Sequence, residues 1–497
     1  MIDYKRFSLE NGLRVLVHED KSTPLIAMNI LYDVGSRDED PAMTGLAHLF
    51  EHLMFGGSLN IPDYDTPLQM VGGENNAFTN NDITNYYLTI PSENIETGFW
   101  LESDRMLELD FSQKNLDTQK SVVTEEFNQR YLNQPYGDAI LKLRPLAYKV
   151  HPYRWPTIGM DIAHVKNTDL EQVRKFFFSH YAPNNAILAL TGNINFDLAF
   201  KLTNKWFGPI GKRCVKVRNL PVEPVQTEER ILTIESDVPS TALYKVWHIN
   251  GRKSSDFYTL DLITDLLAGG ESGRLYTKLV REKKLFSEIN AYLTADLDPG
   301  LLIVQGKLMK GVEISEADKS VNDIINSLLD REGMSEEMEK VKNKFESSTV
   351  FSNTSILNKA ANLSFYELMG NPGLINTETD SYRSVNYDMV KETVMKYFIS
   401  SNCCTRIRPA ALSSTPSTLT LAKSRRPSRP ASWKVWRPGC SPISSRPTSP
   451  APRSMISRGG PCSSSTRRRT FPGRARSSGS WTSSARWFCS SPRRWVS

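Results

Sequence analysis

The apolar and polar positions of this chain fall into two similar series. The first opens as a β-hairpin, with Phe7-Ser-Leu9 and Leu13-Arg-Val-Leu-Val17 flanking Asn11-Gly12, a pair suited to a type I′ turn. A strand from Leu25 to Tyr32 leads through Gly35 to a strongly apolar helix around residues 46–55. Asn76 to Thr79 and Thr84 to Ile90 read as further strands, Ile95 to Asn133 and Ile162 to His180 as helical, and Ala186 to Gly192 as a buried strand. Phe196 to Phe207 then has helical spacing, and Lys212 to Glu228, with Pro221 and Pro224, reads as a linker.

The second series repeats the plan. Arg14 to Gly35 aligns without a gap to Arg230 to Gly251, with identities at Arg14/Arg230, Leu16/Leu232, Glu19/Glu235 and Gly35/Gly251. Each segment is followed by an apolar helix ending in Gly-Gly, Gly56-Gly57 in one and Gly269-Gly270 in the other. The expectation is an α+β fold of two homologous domains, each a mostly antiparallel sheet packed with helices. Their predicted bounds are 1–215 and 216–405, with an unstructured tail at 406–497.

Composition separates that tail from the body. Residues 401–497 hold 17 Arg, 2 Lys and no acid, which leaves 42 basic and 55 acidic residues before them, a net of −13. The overall charge of +6 therefore comes from the tail, whose Arg-rich composition has a disordered nucleic-acid-binding segment as its competing reading. The body reads as an acidic, ordinary globular protein, and no nucleic-acid partner is expected. Five of the nine Trp also lie in the tail, at 433, 436, 481, 487 and 495. A disordered basic tail would be poor in aromatics, so translation in a shifted reading frame is the favoured reading, and the tail is given no function. Only Cys214 precedes residue 400, no apolar run reaches membrane-spanning length, and the start lacks a hydrophobic signal core. These features lead to an expectation of a cytoplasmic protein with no membrane partner.

The chemistry concentrates in Gly45-Leu-Ala-His-Leu-Phe-Glu-His-Leu-Met-Phe-Gly-Gly57. His48 and His52 are four apart and share a helix face, so both imidazoles can reach one metal. Glu51 stays near that face without being a ligand and can take a proton from an activated water. This H-x-x-E-H order is the inverzincin pattern. Tetrahedral zinc needs a third protein ligand and one open position. Val122-Val-Thr-Glu-Glu-Phe-Asn-Gln-Arg130 offers Glu125 and Glu126, about 100° apart on a helix, so only one would face the site. Aligning the two Gly-Gly pairs places Asp261, Thr264 and Asp265 where His48, Glu51 and His52 stand. The metal chemistry is thus expected in the first half only.

These motifs resemble those of the M16 metallopeptidases, the family of pitrilysin, insulin-degrading enzyme and the mitochondrial processing peptidase. The resemblance runs through Gly35, Ala47, His48, Glu51, His52 and Gly56-Gly57. It continues through Gly73-Glu-Asn-Asn-Ala-Phe-Thr79, His151-Pro-Tyr153, Gly159 and Tyr181-Ala-Pro-Asn184 to Gly192-Asn193. It implies a zinc endopeptidase with one Zn²⁺ per chain held by His48, His52 and Glu126, with Glu125 as the fallback ligand and Glu51 as general base. It also implies that Asn76, Ala77 and Phe78 form an edge strand that pairs with extended peptide substrates. In many relatives a second-half Arg is followed seven residues later by a Tyr that stabilises the transition state. Arg281 matches the Arg as a substrate-binding candidate, but the seventh residue on is Glu288, and Tyr292 is out of register. A carboxylate cannot replace a phenol donor facing an oxyanion. A homodimer, or a heterodimer with an M16-like partner supplying the Arg/Tyr pair, is therefore expected; the competing reading is a non-catalytic assembly subunit.

Overall fold

A computed structural model describes residues 1–399 and 404–411, and all structural statements below concern these residues. Two sheets organise them. The first contains β1 (Lys5–Ser8), β2 (Arg14–Glu19), β3 (Leu25–Tyr32), β4 (Glu74–Thr79), β5 (Thr84–Pro91) and β6 (Ala186–Gly192), in the order β1-β2-β6-β3-β5-β4. The second contains β7 (Arg230–Ser236), β8 (Ala242–His248), β9 (Phe286–Leu293), β10 (Leu301–Leu308) and β11 (Thr405–Ala411), in the order β7-β11-β8-β10-β9. Each sheet has one parallel pair, β2 with β6 and β7 with β11, and is otherwise antiparallel.

The expected duplication is visible in this order. The strand orders of the two sheets correspond one for one once β1, which has no counterpart in the second sheet, is set aside. The central strands are the most apolar: every residue of β6 is buried, and all of β3 after Leu25. Both faces of the first sheet are covered, which favours near-continuous apolar strands over alternating ones. Two local details depart from the sequence reading. The turn after β1 is not type I′, because Gly12 has φ 91° while Asn11 does not enter the left-handed region. Asn11 instead turns its side-chain amide inward, donating to the carbonyls of Phe207 and Ile210 at 2.7 and 2.9 Å. The expected tail boundary at 405 falls at the start of β11, which seats Thr405–Ala411 between β7 and β8. The remainder of 406–497 lies outside the described residues.

The halves exchange helices. The back of the first sheet is covered by the second-half helix Ile356–Met369: Ala360 and Leu363 pack with Leu16, Ala27, Leu31, Ile187 and Ala189. Asn29 donates to Ser364 Oγ at 2.7 Å across this contact. Reciprocally, the first-half helix Ala139–Ala147 covers the second sheet, with Leu143 and Ala147 packed on Val246, Leu301 and Ile303. A buried polar seam joins the halves. Arg37 pairs with Asp82 at 2.9 Å and with Asp298 at 2.8 Å, and Asn81 donates to Asp296 at 2.7 Å. No described helix is long and apolar enough to cross a membrane.

Candidate active site

The motif helix spans Leu46–Leu53 and starts from Gly45, whose φ of 91° suits glycine. A Cβ at Gly45 would lie 2.5 Å from the Ile158 carbonyl oxygen, so the entry to the helix leaves no room for a side chain. Leu46, Ala47, Leu49, Phe50 and Leu53 are buried and fix the helix on the core, which aims His48, Glu51 and His52 at the remaining face. The helix Gln113–Phe127 packs alongside, held by Leu116, Val123 and Phe127. That anchoring turns Glu126 toward the histidines and leaves Glu125 exposed, within reach of the Gln129 amide at 3.2 Å.

Glu126 Oε2 lies 3.7 Å from His48 Nε2 and 3.4 Å from His52 Nε2. Donors about 2.0–2.1 Å from a tetrahedral centre are separated by roughly 3.3 Å, so the spacing suits one small ion, and two imidazoles with a carboxylate form a zinc donor set. Among the described residues these three are the one group of His, Cys, Asp and Glu that could hold a metal. Their protonation agrees with that chemistry. Burial depresses His48 to about 4, with His52 adding, so its imidazole is neutral at physiological pH. Burial works against ionisation of Glu126, but the hydrogen bond from His52, the charge of His48 at the low pH where that ring is protonated, and the charge of Arg130 outweigh it and hold the carboxyl down at about 2.

Glu51 carries the opposite bias. Burial raises its carboxyl above the ordinary range, opposed by Thr79 and His52. A carboxylate made more basic by desolvation beside a metal-binding group is arranged to accept a proton.

β4 forms an edge of the first sheet beside the motif helix. Ala77 packs on the core that carries the helix, while Phe78 packs on the opposite face. The Asn76 side chain accepts from the Ala77 N–H at 2.8 Å, so this stretch presents polar, half-buried backbone along the edge. Arg281 is exposed on the irregular helix Tyr276–Glu282 and shares no described hydrogen bond or ion pair with the four site residues. Glu288 is exposed on β9 and pairs with Lys307 at 2.9 Å; the Tyr292 hydroxyl donates to Gln305 at 3.3 Å.

Sequence reasoning missed Glu39. This buried carboxylate accepts from the N–H groups of Gly45 and Ala47 at 2.9 and 2.8 Å and from Trp155 Nε1 at 3.0 Å. It therefore caps the motif helix from the preceding loop, six residues ahead of Gly45 and outside the ordinary capping spacing. Burial pushes it up to about 8, although its hydrogen bonds pull the other way.

Two family profiles match the chain in sequence. Residues 14–152 match "Insulinase (Peptidase family M16)" and residues 167–345 match "Peptidase M16 inactive domain". The chain belongs to the M16 peptidase family. The division of the two profiles follows the division of this M16 chain, with the His/Glu/His set in the first half and Asp261, Thr264 and Asp265 in the second. It is 28% identical over 345 residues to "Zinc protease PqqE" of Helicobacter pylori, covering 68% of this chain and 78% of that one. It is 23% identical over 411 residues to "Uncharacterized zinc protease YmxG" of Bacillus subtilis, covering 82% and 98%. Among solved structures, a protease from Helicobacter pylori matches with a TM-score of 0.77 at 25% identity, over 82% of this chain and 100% of the other.

Proposed function

We propose that this M16 chain is a zinc endopeptidase acting on extended peptides or small unfolded polypeptides. The observation that carries the reading is the convergence of His48, His52 and Glu126 around one point, with Glu51 on the same helix. One Zn²⁺ per chain held there would supply Lewis acidity to the scissile carbonyl and lower the pKa of a water at the open position. Glu51 would accept a proton from the attacking water and pass it to the leaving amine. Asn76, Ala77 and Phe78 offer the β4 edge to the substrate backbone as an added strand, which places the peptide beside the helix with little demand on its sequence.

The same proposal makes this the zinc subunit of a two-subunit enzyme. Glu288 occupies the position, seven residues after Arg281, where the family resemblance calls for a phenol donor, so a partner of the same fold would complete the transition-state contacts.

The test is zinc analysis and fluorogenic-peptide hydrolysis on the full chain, as wild type and Glu51→Gln, each with and without a cognate partner subunit. Retained zinc with kcat reduced by about 10²–10⁴ supports Glu51 as the base. Wild-type rates in Glu51→Gln would overturn that role, and equal activity with and without the partner would overturn the two-subunit reading. Loss of zinc without loss of hydrolysis would favour the assembly-subunit alternative with a contaminating activity.

A further inference from the structure

The two halves meet through counterpart turns, residues 80–83 between β4 and β5 and residues 294–300 between β9 and β10. Gly35 and Gly251, identical in the repeat, each lie against the turn of their own half. A Cβ on Gly35 would stand 2.4 Å from the Asn81 carbonyl oxygen, and one on Gly251 would stand 2.3 Å from that of Leu297. Across the contact Asn81 donates to Asp296 at 2.7 Å, and the Leu297 N–H donates to Asp82 at 2.8 Å. The Asp298 N–H donates to the Tyr153 hydroxyl at 3.1 Å.

What stands on these turns differs between the halves. Arg37 and Glu39 follow Gly35 by two and four residues, where Lys253 and Ser255 follow Gly251. Lys253 is exposed, whereas Arg37 is buried and its Nη1 donates to Asp298 Oδ2 at 2.8 Å. His151 Nε2 lies 3.7 Å from the same oxygen. The other carboxylates around Arg37 belong to the first half and are shared: Asp33 also pairs with Arg218 at 2.9 Å, and Asp82 also accepts from Tyr153 and Leu297. The turn that carries Arg37 is tied in the other direction to the metal helix. Trp155 Nε1 donates to the Ser36 carbonyl at 3.1 Å and to Glu39 at 3.0 Å, and Glu39 accepts from the N–H groups of Gly45 and Ala47. Ala47 immediately precedes His48. A continuous run of polar contacts therefore leads from Asp298 in the second half to the helix of the candidate ligands.

We propose that Asp298 is a positioning residue for the metal site: by holding Arg37 it fixes the turn that carries Glu39, and so sets the helix of His48, Glu51 and His52. In this role the second half, on the reading of those residues as a zinc site, braces the ligands rather than supplying any. A charge-assisted bond to a planar guanidinium fixes orientation as well as distance. Loss of one acceptor lets Arg37 and its turn follow the carboxylates that remain. Groups that orient a ligand from behind govern metal affinity by about 10–100-fold, and a group acting through a turn belongs at the lower end of that range.

Three measurements on the full chain test this: zinc affinity by chelator competition, hydrogen exchange at the Gly45 and Ala47 amides without metal, and peptide hydrolysis at saturating zinc. Asp298→Ala should weaken zinc binding about tenfold, speed exchange at both amides and lower kcat, with KM kept within about twofold. The Asp298 side chain is 34% exposed, so its removal opens no sealed cavity. Asp298→Asn keeps an acceptor for Arg37 and should restore most of the zinc affinity. In a Glu39→Ala background, Asp298→Ala should weaken zinc binding no further, because the two residues act in series. Val321→Ala, a core change in the helix Ile314–Asn326, perturbs the same half outside the run of contacts and should leave zinc affinity at the wild-type value. Wild-type affinity and exchange in Asp298→Ala, additive losses in the double variant, or equal losses in Asp298→Asn or Val321→Ala would each overturn the proposal. A wild-type chain that binds no zinc would overturn the zinc reading instead, and exchange in the metal-free chain would still decide whether Asp298 holds the helix.

Discussion

The two halves set the same scaffold to different electrostatic ends. In the first, the helices Leu46–Leu53 and Gln113–Phe127 bring His48, His52 and Glu126 together. In the second, the helices Phe257–Ala268 and Met334–Ser352 bring Asp265 against Lys344. Aligning Val123-Thr-Glu-Glu-Phe127 with Val341-Lys-Asn-Lys-Phe345 puts Lys344 at the position of Glu126. The acid and the base have changed sides: Asp265 replaces His52, and Lys344 replaces Glu126. A direct ion pair closes the gap that a cation would otherwise bridge. Three donors around an empty point are costly without a cation, whereas a carboxylate and an ammonium satisfy each other. The apolar frame of a site can therefore outlast its chemistry, because packing and ligation use different residues.

The sharpest way to break the contrast is to transplant it. His52→Asp with Glu126→Lys should give the first half the ion pair of the second. Zinc should then be lost and hydrolysis should fall to the uncatalysed background, at least about 10⁶-fold, with the fold retained by circular dichroism. The converse triple change, Asp261→His, Asp265→His and Lys344→Glu, should raise bound zinc from one to two per chain by metal analysis. It should add no second peptidase activity, since Thr264 provides no base.

Glu39 probes what supports the motif helix. Glu39→Ala leaves the buried N–H groups of Gly45 and Ala47 without an acceptor, while Trp155 Nε1 keeps the Ser36 carbonyl at 3.1 Å, and should cost about 2 kcal/mol in urea unfolding. The pH dependence follows from the raised carboxyl. Its proton is held in the folded state up to about pH 8 and released in the unfolded chain near the ordinary value of 4.5. Its contribution to stability is thus full below about pH 4.5 and declines as pH rises toward 8. Glu39→Gln should flatten that slope. The smallest effect belongs to Glu125→Ala, expected within about 0.5 kcal/mol of wild type with unchanged zinc, because Glu125 is exposed.

Much of the molecule was legible because local periodicity survives folding. Ala186–Gly192, Phe196–Phe207 and Leu25–Tyr32 have the bounds that their apolar spacing predicts. The metal motif was legible for the same reason: i, i+4 spacing on one helix fixes two ligands before any tertiary contact forms. The choice between Glu125 and Glu126 was not open to spacing alone, since both lie on one helix and packing of Val123 and Phe127 sets its rotation. Glu39 was hidden because its partners lie across a loop rather than within a turn of helix.

The sequence by itself determined the two-part plan, the helix with His48, Glu51 and His52, and the lack of matching ligands at Asp261, Thr264 and Asp265. These follow from short-range spacing and from aligning one half on the other. Tertiary structure alone decided that each half lends a helix to the back of the other's sheet and that Lys344 meets Asp265, and it turned Glu126, the acid that the family resemblance implies, toward the histidines. Those outcomes depend on contacts between residues far apart in the chain, where the position of a side chain is set by what packs beneath its own helix.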